Sequence, residues 1–300
     1  MNSFLNIHAV CNESDQTYSS NLMYCLADHA GMPGLHQQLV RRELQWASLF
    51  QGTTEEAALS VAPLIFELPT KNYDNNRSFL RWLTEHGTYT SSMLLLSSPS
   101  DLETLRCQLT RRLHARITDG MDVLLRYFDP RVFESLLSVL DVQQASAFLS
   151  PADCWWYPNR SGQLIRRQSA WGIDEFLSPL HLDAEQEFAM LDANEIDVVE
   201  GRLRSMFPDL AIRLNVEKRE HFLRCQIAAA RATGIESTND TILYCGLAVL
   251  HGENFAKISP WREILENMRI NKLNFSEEVL AVEEKIQRSE DWAKHSTFAR

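Results

Sequence analysis

Hydrophobic and polar positions alternate along the first half of the chain in short blocks. LMYCLA (22–27) is an apolar run rich in strand formers, followed by the breaker-rich DHAGMPG. GLHQQLVRRELQWASLF has helical spacing, which places Leu35, Leu39 and Trp46 on one stripe. APLIFELP predicts a strand closed by proline, SFLRWLTEHG a short helix stopping at Gly87, and SSMLLLSS another strand. SPSDLETLRCQLTRRLHARI predicts a helix capped by Ser100, with Leu102, Leu105, Leu109 and Leu113 as its buried face. DVLLRYF predicts a strand and PRVFESLLSVL the next helix. Repeated strand–helix alternation implies an α/β layer with a mixed, largely parallel sheet and flanking helices.

Beyond DCWWYPNRSGQ, a turn-rich stretch with an aromatic cluster, the pattern changes. From about residue 180 the spacing is mostly helical. Ile196, Val199, Leu203 and Met206 share one face of DAEQEFAMLDANEIDVVEGRLRSMF. EKREHFLRCQIAAARATG ends at Gly234, a glycine suited to the position after a helix. STNDTILYCGLAVLHG opens on cap-type residues and stops at Gly252, SPWREILENM offers Ser259 as cap and Pro260 as first-turn proline, and SEEVLAVEEKIQR is a last helix. The boundary falls near 157–178. The expectation is an α/β N-terminal domain over 1–160 followed by a mainly α-helical C-terminal domain over 161–300.

The stretch LLRYFDPRVF (124–133) is the densest in chemistry. Asp129 stands where the next helix needs an N-cap, and Pro130 takes the first helical position, where no amide hydrogen is missed. Arg126 or Arg131 can pair with the Asp129 carboxylate. The functional alternative is an acid–base site at the carboxyl end of a strand, where α/β ligands often bind. A carboxylate between two arginines stays ionised, which makes it a poor proton donor, so Arg126, Asp129, Pro130 and Arg131 read as a structural motif with no catalytic residue among them.

Charge and composition narrow the classes. The 300 residues are 45% hydrophobic with seven tryptophans, which fits a folded chain long enough for two domains. Net charge is −11 and uneven: 14 Lys and Arg face 17 Asp and Glu over 1–170, against 15 and 23 over 171–300. Such a surface repels phosphate backbones and anionic lipid, so neither nucleic acid nor membrane is an expected partner. No Lys or Arg precedes Arg41, and the longest apolar run, ILYCGLAVL, is too short to span a bilayer. Six scattered cysteines without a C-x-x-C read as reduced thiols. The expected location is the cytoplasm.

The phosphate-loop, dinucleotide, nucleophile-elbow and H-E-x-x-H signatures are absent, and GMPG (31–34) is a turn. Cys25 with His29 and Cys107 with His114 approach metal spacing, but neither has a second pair, so no metal or cofactor is expected.

Two features suit protein binding. Trp155, Trp156 and Tyr157 lie at the candidate domain junction, either as an interface hot spot or as filling for the seam between domains. Residues 171–200 hold nine acidic side chains and no Lys or Arg, either a solvated helix face or a surface attracting a basic partner.

The succession YCLADHA, WASLFQGT, VAPLIFELP, FLRWLTEHG and SMLLLSSPSDLETLRCQLTRRLHARITDGMDVLLRYFDPRVFESLLSVL resembles a family catalogued as domain of unknown function 4123. The likeness is densest from 22 to about 157; FAMLDANEIDVV and LAVLHGENF resemble the family's C-terminal half more loosely. Members act as adaptors, or effector chaperones, of the bacterial type VI secretion system. The resemblance implies a non-catalytic cytoplasmic protein whose partners are a toxic effector and the valine-glycine-repeat (VgrG) spike, onto which it helps load that effector. Two other classes stay open: a hydrolase or nuclease of unusual type using the Asp129 region, and a regulatory interaction module in the helical half.

Overall fold

A computed structural model describes residues 7–17, 20–69, 73–89, 92–169, 171–211, 213–271 and 274–281. The chain divides into two compact units, Met1–Asn194 and Glu195–Arg300. Residues 160 and 161, the expected boundary, lie in a turn inside the first unit.

In chain order the strands are β1 (Leu22–Asp28), β2 (Trp46–Ser48), β3 (Pro63–Glu67), β4 (Met93–Ser98) and β5 (His114–Arg116), then β6 (Asp122–Leu124), β7 (Cys154–Pro158), β8 (Leu164–Gln168) and β9 (Leu180–His181). The helices of the first unit are α1 (Ile7–Thr17), α2 (Leu35–Arg41), α3 (Tyr73–Tyr89), α4 (Leu102–Thr110), α5 (Pro130–Val139) and α6 (Val142–Leu149). Next comes α7 (Ala184–Met206), within which the division between units falls.

The largely parallel sheet expected from the alternation is not what forms. The six-stranded sheet has the order β2-β3-β1-β4-β7-β8, and each of its pairings is antiparallel. The reason lies in β1. Strands β3 and β4, joined through α3, do run the same way, as a strand–helix–strand unit should. They do not touch, because β1 lies between them and runs against both, with Cys25 opposite Phe66 on one side and Leu95 on the other. The last two strands form a hairpin closed over Asn159–Gly162, where Gly162 has φ +76° and the Asn159 side chain accepts from the Gln163 amide. A smaller sheet, β6-β5-β9, contains the one parallel pairing among the described residues, β5 with β9.

The continuous apolar runs predicted as strands are buried on both faces. LMYCLAD is inaccessible from Met23 to Asp28, and MLLLSS throughout. Trp155, Trp156 and Tyr157 lie in β7 and are buried in the core of the first unit. Trp155 stacks on Phe133 at 5.2 Å between ring centres and donates its indole N–H to the Leu149 carbonyl at 3.0 Å.

Several boundaries shift for local reasons. Trp46 leaves the helix expected to carry it: Glu43 adopts φ +53°, α2 ends at Arg41, and Trp46 opens β2. The cap of α4 is Asp101, whose side chain accepts from the Thr104 amide, rather than Ser100. Helix α3 runs past Gly87 to Tyr89. DVLLRYF is a strand only over Asp122–Leu124, since the Asp129 amide donates back to the Arg126 carbonyl in a turn.

The second unit is helical, with α8 (Pro208–Ala211), α9 (Val216–Ala232), α10 (Thr238–His251) and α11 (Trp261–Asn271). Ile196, Val199 and Leu203 are buried as their spacing predicts, whereas Met206 is exposed. Gly234 follows α9 with φ +90°, a conformation that suits glycine, and Ser237 caps α10. Helix α11 begins at Trp261, one residue after Pro260. Of the last predicted helix, SEEVLAVEEKIQR, residues beyond 281 lie outside the described ones.

Candidate protein-binding surface

The polar cluster singled out in the sequence resolves into two ion pairs. Asp129 caps α5, accepting from the Arg131 amide at 2.9 Å, with Pro130 beside it at the helix start. The Arg131 guanidinium grips the same carboxylate at 3.0 and 2.6 Å. Arg126 goes elsewhere: it donates to Asp28 at the end of β1 at 2.8 Å and lies over the Phe128 ring. Asp28 also accepts from the Ala30 amide, so this pair ties the start of the α5 segment to the central strand. Both carboxylates are buried and engaged by cations and amides, an arrangement that holds backbone in place.

A stronger anchor involves residues that drew no notice in the sequence. Arg112, fully buried, follows the end of α4 and donates to the carbonyls of Gln108, Ala147 and Phe148 and to the Ser150 hydroxyl. The same guanidinium, with its N–H groups shared among these acceptors, holds Asp174 at 2.7 and 3.3 Å. Arg111 adds a second contact to Asp174 at 2.9 Å and donates to the Phe176 carbonyl. The Phe176 ring sits beneath the Arg112 guanidinium at 4.5 Å and packs edge-on against Phe148. Burial alone raises the Asp174 carboxyl, but the hydrogen bonds and charge of Arg112, the Phe176 amide and Arg111 outweigh it and hold the group below the usual carboxylate range. For Arg112, burial pulls the other way and lowers the guanidinium from its ordinary value, against the pull of Asp174.

The latch fixes the path of the 171–179 segment. Asp174 and Phe176 turn inward, while Ile173 and Leu177 turn outward at 88% and 82% exposure, with Trp171 and Glu175 also exposed. A second clasp holds the start of α7. Glu187 accepts from the Thr118 hydroxyl and amide, which keeps its carboxyl below the ordinary value, and Gln186 donates to the Val139 carbonyl. Held this way, α7 presents Phe188 and Leu191, three residues apart and both exposed. Segment 171–191 thus shows solvent a set of large apolar side chains on a backbone tied down at several points, which suits recognition of another protein surface.

Of the sequence-predicted interaction residues, Trp155, Trp156 and Tyr157 are core residues that present nothing to solvent. Six of the sixteen exposed large apolar residues among the described ones lie in the acidic run 171–200, and their mixture with acids was the one available signal. Arg112 could not be singled out, because its partner is distant in sequence and Arg106, Arg111 and Arg116 stand close to it in the chain. Among the described residues no cluster of three or more His, Cys, Asp and Glu is arranged to hold a metal ion, and no helix is long and apolar enough to cross a membrane.

No curated protein and no solved structure matches the chain. Residues 23–147, which run from β1 into α6 and include Arg112 and the Asp129 cluster, match the model of the family described as Domain of unknown function (DUF4123).

Proposed function

We propose that this protein is a non-catalytic adaptor of a type VI secretion system. It binds a toxic effector in the cytoplasm and helps place it on the valine-glycine-repeat spike. The family match over 23–147 supports the reading, together with the motif order that resembles known adaptors. The observation that carries it furthest is the pinned loop: a buried Arg112–Asp174 ion pair spends its geometry on holding Ile173 and Leu177 out in water. Apolar side chains on a rigid backbone bind with little ordering cost. One rigid body that grips an effector and a spike couples two modest affinities.

Co-expression with the products of neighbouring genes tests the proposal. The expected result is a stable complex with an effector, a spike protein or both. Recovery of neither overturns it.

A further inference from the structure

We infer that residues 171–191 dock a cationic amphipathic segment of a partner protein, an inference that rests on the adaptor reading and specifies its partner's chemistry. Trp171, Ile173, Leu177, Phe188 and Leu191 are all exposed within this stretch. Single exposed apolar residues are ordinary on any protein, but five large ones between 171 and 191 are a concentration along the chain.

The stretch's own charges have one sign, and the half-exposed Arg111 beside it is taken up by Asp174 and the Phe176 carbonyl. The stretch contains Asp174, Glu175, Asp183, Glu185 and Glu187 and no Lys or Arg. Asp174 and Glu187 are consumed by the latch and the clasp. Glu175, Asp183 and Glu185 are exposed, and no Lys or Arg pairs with them among the described residues. A partner covering the apolar residues desolvates these carboxylates as well, and only a cationic partner compensates that cost. Nucleic acid and anionic lipid carry the wrong sign. The fitting occupant therefore alternates apolar anchors with Lys or Arg, as an amphipathic helix or an extended arm does.

The test uses the full chain and three paired variants, Ile173→Ser with Leu177→Ser, Phe188→Ser with Leu191→Ser, and Glu175→Lys with Glu185→Lys. Two synthetic amphipathic peptides serve as probes, one of Leu and Lys and one with Glu replacing each Lys, followed by fluorescence anisotropy. The Leu–Lys peptide should bind and the Leu–Glu peptide should not. Each apolar pair should weaken binding about tenfold or more. The charge pair should weaken it too and flatten its salt dependence between about 50 and 500 mM. Equal binding of both peptides, or wild-type binding by both apolar variants, overturns the inference. Co-expression separates the two readings. An effector or spike recovered undiminished by all three variants overturns this surface and leaves the adaptor role intact. Peptide binding that follows the variants, with no effector or spike recovered, overturns the adaptor role and leaves the surface.

Discussion

Arg112 and Asp174 stand 62 residues apart in the chain and meet in the interior, the guanidinium 2.7 Å from one carboxylate oxygen and 3.3 Å from the other. A buried pair of this kind adds little net stability over an apolar replacement, but losing one member strands the other. Asp174→Ala should cost about 3 kcal/mol, moderated by the carbonyls that also serve Arg112. Asp122→Ala breaks the exposed pair with Arg116 and should leave the urea midpoint nearly unchanged. Paired urea titrations check the contrast.

The same pair makes stability depend on pH. The folded Asp174 carboxyl titrates below its unfolded value, so the native state holds its charge more tightly than the unfolded chain does. The contribution is complete above the unfolded value of about 4 and is lost as pH falls through the folded value. Wild type should lose stability more steeply below about pH 4 than Asp174→Asn, which has no proton to take up there. Urea midpoints at about pH 6, 4 and 3 read the difference.

The two adjacent tryptophans of β7 should respond differently to one substitution. Trp155 donates to the Leu149 carbonyl, whereas the buried Trp156 indole N–H has no partner among the described residues. Trp155→Phe loses a hydrogen bond to a carbonyl that the Ala152 amide and the Ser169 hydroxyl still serve, a cost of about 1 kcal/mol beyond the lost volume. Trp156→Phe removes a donor that was already unmet, so its cost is the lost volume alone. Denaturation midpoints should rank Trp156→Phe as the milder change.

At the α5 cap, Asp129→Ala removes the acceptor for the Arg131 amide and the partner of its guanidinium, and should cost about 1–2 kcal/mol. Asp129→Asn keeps a capping oxygen and should cost less. Equal losses in calorimetric unfolding would show that the cap is not what Asp129 supplies.

Local chemistry was legible in the sequence, and pairing was not. The Asp-Pro start of α5, the Ser237 cap and the glycine after α9 each depend on neighbours a few residues away, and each forms as its residue types dictate. Cys25 reads as part of an apolar strand, yet nothing nearby says that Phe66 and Leu95 flank it. Alternation implied a largely parallel sheet, and that expectation failed because an earlier strand lies between β3 and β4 and runs against both. The aromatic run at 155–157 read either as an interface hot spot or as filling for a seam between domains, and as part of a hairpin strand it lies in the core of the first unit instead. The proposed surface was half visible as an acidic run; the Arg112–Asp174 latch and the Thr118–Glu187 clasp that hold its backbone join residues far apart in the chain.

The central place of β1 carries a cost during synthesis. Its outer partners arrive late, since Leu22 pairs with Ser98 and Tyr24 with Glu67, so the ribosome releases an apolar ribbon well before anything can cover it. Until then LMYCLAD is a sticky edge within reach of other nascent chains. A slowed translation between β1 and β4 prolongs that exposure, and polysome crowding should show up as aggregated product.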